Sequence, residues 1–440
     1  MLRLIACSLL LLASPAAAQT APPAPPAPQI VADPSLEARA KDVVAILAGK
    51  GDYDAIFSAA FRAQVPKAQF DAVTAQLTAA SGKVTGVEKL TPVSPYGGTM
   101  LIGFERGIAT MQIAVDPAEP HQITGLRVTG MTAREASLDA IAGSLAALPG
   151  TTGFALVRLD GARPGTMIAH EADRPFAIGS AFKLVILAEL VRGVTAGERH
   201  WDDLVTLDGA PLPGGFYADK PAGTKATLRE IAERMISVSD NSATDILLAT
   251  LGRTRVEAML PVVGFTAAAR DRPFMATLEG FKLKSVEGGA LGARYLALDE
   301  KGRRAMLDGE VRNVPISAIR GDLFAAGKPI AIDTLEWFAS PQDLARVMDW
   351  LRRHTETGPT AEARTILAKN PGIDPAAATA WSYVGFKGGS EPGVINMTFL
   401  LQAKHGGWYA LTGSWNNNAA AVDEGRFAAL MRRAVELAVG

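Results

Sequence analysis

The chain has 440 residues, enough for two or more domains with sizeable cores, and its 44 basic and 45 acidic residues leave a formal charge of −1. That balance excludes a broad electrostatic surface for nucleic acid or an acidic membrane. A single cysteine, Cys7, excludes a disulfide framework, and the five histidines at 121, 170, 200, 354 and 405 show no metal-ligand spacing.

From the amino terminus, residues 1–18 carry one charge, Arg3, then an apolar stretch over 4–13 and a small-residue run ending at Ala18. This predicts a secretory signal peptide, because the stretch falls short of the roughly 20 apolar residues that span a bilayer. The mature chain is therefore expected to be exported, periplasmic or secreted, with Cys7 lost alongside the signal. Residues 19–34 are rich in Ala and Pro and predict a stiff, extended linker.

Residues 35–131 read as a domain of their own. Apolar periodicity predicts helices over 36–50, 53–60 and 67–81. Alternating runs predict strands over 84–92, 99–104, 108–115 and 122–128, with Glu105-Arg106-Gly107 turning the middle pair. Helices followed by a curved antiparallel sheet resemble the cone-shaped fold of the nuclear-transport-factor-2 or steroid-isomerase type. Such a cone can hold a small ligand, or Phe57, Phe61 and Phe70 can simply fill it, which is the default for apolar side chains.

Beyond it, a helix is expected over 136–147 and a strand pair over 153–160 and 167–170. Then comes Ser180-Ala181-Phe182-Lys183, opening an apolar helix with a stop at Gly193. Residues i and i+3 share a helix face, so the Ser180 hydroxyl and the Lys183 amine can meet. Serine is a weak nucleophile until a neighbour takes its proton. An amine ordinarily charged up to about pH 10 must be desolvated, or crowded by positive charge, to do so. This chemistry predicts a second cation nearby.

Ser239-Asp240-Asn241 precedes a helix over 243–251 and suits a helix start, with Ser242 and Asp245 spaced for a capping box. Lys387-Gly388-Gly389-Ser390 is followed by alternating strands at 394–401 and 408–413 and an amphipathic helix over 424–439.

The order S-x-x-K, S-D-N, K-x-G resembles the class A β-lactamase-like family of penicillin-recognising serine enzymes. The flanking elements extend the likeness over 134–440. The resemblance implies an α+β fold in which a five-stranded antiparallel sheet is flanked by helices, placed behind the smaller helix-plus-sheet domain. It implies that Ser180 is the nucleophile, Lys183 the base for acylation, and Ser239 the relay that carries the proton to the leaving group. Asn241 would hold Lys183 and the substrate amide, while Asp240 braces the loop. Lys387 would be the second cation and would attract a substrate carboxylate; Gly389 and Ser390 would line the cleft, with the Ser390 and Ser180 N–H groups as oxyanion hole. No metal or organic cofactor is implied. The partner is a small-molecule substrate, a β-lactam, an ester or a peptidoglycan-derived compound, with no nucleic acid and no membrane span; oligomeric state stays open.

The chain departs from the family at three places. Hydrolytic members carry a deacylating glutamate in an E-x-x-L-N loop, whereas 270–283 offers only Glu279, a few residues late and without the asparagine. Gly388 stands where the family has a hydroxyl residue. An insertion at about 282–333, with helices expected over 298–308 and 316–326, would be either a lid beside the cleft or a peripheral decoration. The expected activity is β-lactam opening through an acyl-enzyme on Ser180. The alternatives are a β-lactamase-like esterase or D-alanyl carboxypeptidase lacking the deacylating glutamate, and a non-catalytic covalent sensor of β-lactams or peptidoglycan.

Overall fold

The structure, a computed structural model, describes residues 30–161, 164–321 and 323–438. The expected signal peptide, and the linker up to residue 29, lie outside the described residues. The first helix, Pro34–Leu47, starts where Asp33 accepts from the Ser35 N–H and proline occupies the first turn. It buries Leu36, Ala40, Val43, Ile46 and Leu47, one face at helical spacing.

The helix expected over 53–60 is instead two short ones, Tyr53–Ile56 and Ala59–Gln64. The break has a local cause: Ser58 is extended and its hydroxyl caps the second piece through the Phe61 N–H. After helix Lys67–Ser81, four strands, Val84–Ser94, Gly97–Phe104, Gly107–Val115 and Ile123–Ala133, form an antiparallel sheet in sequence order. Phe57, Phe61 and Phe70 pack beneath it with Met100, Ile102 and Met111; the Phe57 and Phe61 rings stack at 4.5 Å. Aromatic side chains thus occupy the space under this sheet.

The larger sheet has five antiparallel strands in the order Trp381–Glu391, Val394–Ala403, Trp408–Asn416, Thr151–Arg158, Gly165–His170. Residues on alternate sides of these strands feed two cores. Phe154, Leu156, Phe399 and Leu411 pack with helices Leu138–Ala146 and Glu424–Leu437, while Ala155, Leu400 and Ala410 face the cluster around Lys183–Thr195 and Pro341–His354. Trp381–Glu391 is the edge strand and lies against the turn that carries Ser180. The front sheet is fastened to the last helix by Arg426, which donates to Glu135 and to the Arg106 carbonyl, and by Arg433, which donates to the Glu135 carbonyl.

Of the two helices expected in the added segment, the first is present with shifted bounds and the second needs correction. The helix near 298–308 forms as Glu300–Met306, capped by Asp299, and continues as a wider turn, Leu307–Val311. The helix near 316–326 shrinks to one turn, Ile316–Ala318, after which Ile319 is extended. Its leading apolar residue, Ile316, stays exposed, so no buried face supports further turns.

Candidate active site

Ser180 sits in a tight turn, Gly179–Phe182, that runs directly into helix Lys183–Thr195. Phe182 anchors the turn by stacking on Trp337 at 3.8 Å. Two glycines let this turn touch the edge strand. Gly179 has φ of +48°, and a Cβ there would lie 3.0 Å from the Ser390 nitrogen. A Cβ on Gly389 would collide with the Ile178 carbonyl and the Ser180 nitrogen. The edge strand at Gly389-Ser390 thereby packs directly against the turn that carries the half-buried Ser180.

Lys183 is fully buried, and its Nζ donates to the Ser239 carbonyl (2.6 Å), Asn241 Oδ1 (2.8 Å) and Ser239 Oγ (3.2 Å). Three partners occupy its three donors, and none of them is Ser180. Lys387 Nζ donates to the same Ser239 Oγ at 3.0 Å and to the Gly388 carbonyl. A single hydroxyl thus bridges two amines. It can donate its own proton to only one of them, and only to a neutral one.

Burial pulls the Lys183 amine down to about 7, against the upward pull of Asp245 and Asp240. Burial, and then the charge of Lys183, hold Lys387 well below the usual lysine range. Lys387 thus stands beside Lys183 as the sequence led one to expect, but it is not what lowers the Lys183 amine. Desolvation is what lowers Lys183.

Ser239 adopts φ of +59°, which turns its side chain and its carbonyl toward the lysines. Asp240 holds that conformation by accepting from the Phe216 N–H, the Ser242 hydroxyl and the Ala243 N–H. The helix cap is Asp240, so Ser242 and Asp245 do not form the expected capping box. Asp245 accepts instead from the Thr277 and Leu278 N–H groups and steadies helix Thr277–Ser285. At Gly388, a Cβ would press on the Phe386 ring at 2.9 Å and the Asn396 carbonyl at 3.2 Å, so packing disfavours the hydroxyl residue missing there. Glu279, the nearest acid in sequence to the missing glutamate, is engaged elsewhere: it accepts from Arg253 and from the Ala276 N–H.

Ser180 opens onto two cavities. The larger, about 890 Å³, is lined by Ser239, Lys387, Gly389 and Ser390, and by Thr110, Thr129 and Thr132 of the front sheet. The smaller, about 340 Å³, is lined by Asn241, Thr277, Lys284, Glu336 and Glu391. The structure gathers the other six expected residues, Lys183, Ser239, Asn241, Lys387, Gly389 and Ser390, near the serine, and adds Lys284, Glu336 and Glu391, which the sequence does not single out. Lys284 donates to both glutamates at 2.5 Å, yet the three are separated by 52 and 107 residues, with no spacing that could announce them. Among the described residues no group of three or more His, Cys, Asp or Glu could hold a metal ion, and no helix is long and apolar enough to cross a membrane.

A family model described as the β-lactamase enzyme family matches residues 134–370, more than half of the 440-residue chain. The chain belongs to the β-lactamase enzyme family. Membership makes it a β-lactamase-type hydrolase acting on small-molecule substrates. Similar solved structures include a β-lactamase from Sphaerobacter thermophilus, 21% identical, covering 68% of this chain and 94% of that one at a TM-score of 0.45. PBP-A is 16% identical, covering 68% and 93% at 0.46. A β-lactamase from Chitinophaga pinensis is 16% identical, covering 68% and 96% at 0.45.

Proposed function

We propose that this β-lactamase-family chain is a serine hydrolase that opens β-lactam amides through an acyl-enzyme on Ser180. The observation that carries this reading is the Ser239 hydroxyl bridging Lys183 and Lys387 beside Ser180. Ser180 Oγ attacks the strained carbonyl while its proton passes to neutral Lys183. The carbonyl oxygen gains negative charge between the Ser180 and Ser390 N–H groups. As the C–N bond breaks, Ser239 hands its proton to the leaving nitrogen and is reprotonated from the lysine pair. Asn241 orients the substrate amide, and Lys387 and Gly389 line the cleft, with the amine able to meet a substrate carboxylate.

A second reading is an esterase, favoured by one observation: Glu279 is tied to Arg253, and the E-x-x-L-N loop is absent. An ester needs less help from a deacylating base. Rates of nitrocefin and p-nitrophenyl acetate hydrolysis, with Ser180→Ala as control, distinguish the two. The expected result is loss of both activities in the variant; persistence of both removes Ser180 as nucleophile. The exported location rests on the sequence of residues 1–18, and amino-terminal sequencing of the secreted protein tests it.

A further inference from the structure

The acyl group needs an attacking water, and that water needs a base. We propose that the Glu336–Glu391 carboxyl pair, held by Lys284, is the general base that deprotonates the water releasing the acyl group from Ser180. The inference rests on the reading of Ser180 as nucleophile and adds catalytic residues to it.

Position comes first. Glu336, Glu391 and Lys284 line the same 340 Å³ cavity as Ser180, with Phe281, Leu335 and Trp337 as apolar walls. That volume holds a water beside an ester carbonyl. Elimination comes second. Near Ser180, Asp240 and Asp245 accept from backbone and hydroxyl donors that fix the loops, and Glu279 is bound to Arg253. Asp271 has a free oxygen but lines neither cavity that Ser180 reaches. Among the carboxylates of the described residues, Glu336 alone combines a place in the smaller serine cavity with a buried oxygen, Oε2, that has no hydrogen-bond donor. An unsatisfied buried acceptor is costly as mere structure, and a buried ion cluster is weak evidence of a stabilising role.

Electrostatics comes third. Burial, and then the charge of Glu336, push the Glu391 carboxyl up to about 8. Burial pulls the Lys284 amine down, but both glutamates outweigh it and hold it above the usual lysine range. One ammonium therefore faces two carboxyls, of which Glu391 is held toward its protonated form. The cluster is close to neutral and keeps one basic oxygen. In the step itself, water gives one proton to the pair as its oxygen bonds to the acyl carbon. The tetrahedral adduct then collapses, the C–Oγ bond breaks, and Ser180 Oγ takes that proton back. Free acid leaves and the pair returns to its starting state.

The test follows nitrocefin by stopped flow and the Ser180 adduct by intact-protein mass, in the full chain and in Glu336→Gln and Glu391→Gln. Expected is acylation at the wild-type rate with release of the adduct slowed about 10²- to 10⁴-fold, so that each variant gives a one-equivalent burst and a persistent adduct. A variant that acylates normally has an intact site, which separates this outcome from misfolding. Wild-type release in both variants overturns the proposal, and loss of acylation in both overturns it by assigning the pair to structure. A wild-type adduct that never clears overturns it too, while leaving Ser180 as nucleophile. No adduct and no turnover in the wild type with either nitrocefin or p-nitrophenyl acetate removes the nucleophile reading and this one with it.

Discussion

Lys183 cannot accept a proton while it carries its third. With its amine lowered to about 7 by burial, the neutral fraction falls roughly tenfold for each pH unit below that value and levels off above it. The rate of Ser180 acylation is therefore expected to rise with pH through an ascending limb near 7, and stopped-flow acylation by nitrocefin from pH 5 to 9 measures it. Lys183→Ala should lower that rate by about 10²- to 10⁴-fold and flatten the limb; an unchanged rate would assign the base elsewhere. At this scale Ser180, Lys183, Ser239, Asn241 and Lys387 were legible as motifs, since short spacings on one chain preserve chemistry that a script of residue types can express. The way Lys183 spends its donors on Ser239 and Asn241 was not, because it depends on a fold that closes separations of 56 and 58 residues.

Between elements, the site depends on how closely the Gly179–Phe182 turn approaches the edge strand Trp381–Glu391. Gly389→Ala would place a methyl group against the Ser180 nitrogen and the Ile178 carbonyl, forcing strand and turn apart. Since one oxyanion donor is worth about 10²- to 10³-fold, kcat should fall by at least that order, and the melting temperature should drop as the backbone gives way. Steady-state kinetics alongside thermal unfolding check this, and an active variant would show that the Ser390 N–H is not a donor. Most strands and long helices were legible as elements, because period-2 and period-3.6 patterns come directly from burial on one face. The misses share a cause. The 53–60 helix was split by a serine cap, and the 316–326 helix had no buried face to hold it, and neither fact is carried by average periodicity.

For the whole molecule, the front sheet is a wall of the larger cavity, with Thr110, Thr129, Gly130 and Thr132 across from Lys387 and Ser390. A Cβ on Gly130 would meet Thr110 Cβ at 3.9 Å and Asp374 Oδ2 at 4.0 Å, ordinary contacts that leave room for a larger side chain in the cleft. Gly130→Phe should raise KM about tenfold for a β-lactam with a bulky acyl substituent and leave a small ester unaffected. Equal effects on both substrates would mean that this wall does not touch substrate. By itself the sequence determined most elements of the two sheets and the motifs that carry the serine and the lysines. Each depends on residue type at short range or on which face of an element is apolar. Tertiary structure alone decided which carboxylates are spent on loops and which line a cavity with Ser180. It also brought Lys284, Glu336 and Glu391 together and set the front sheet against the cleft. These contacts join residues far apart in the chain, and packing, which no local pattern records, determines them.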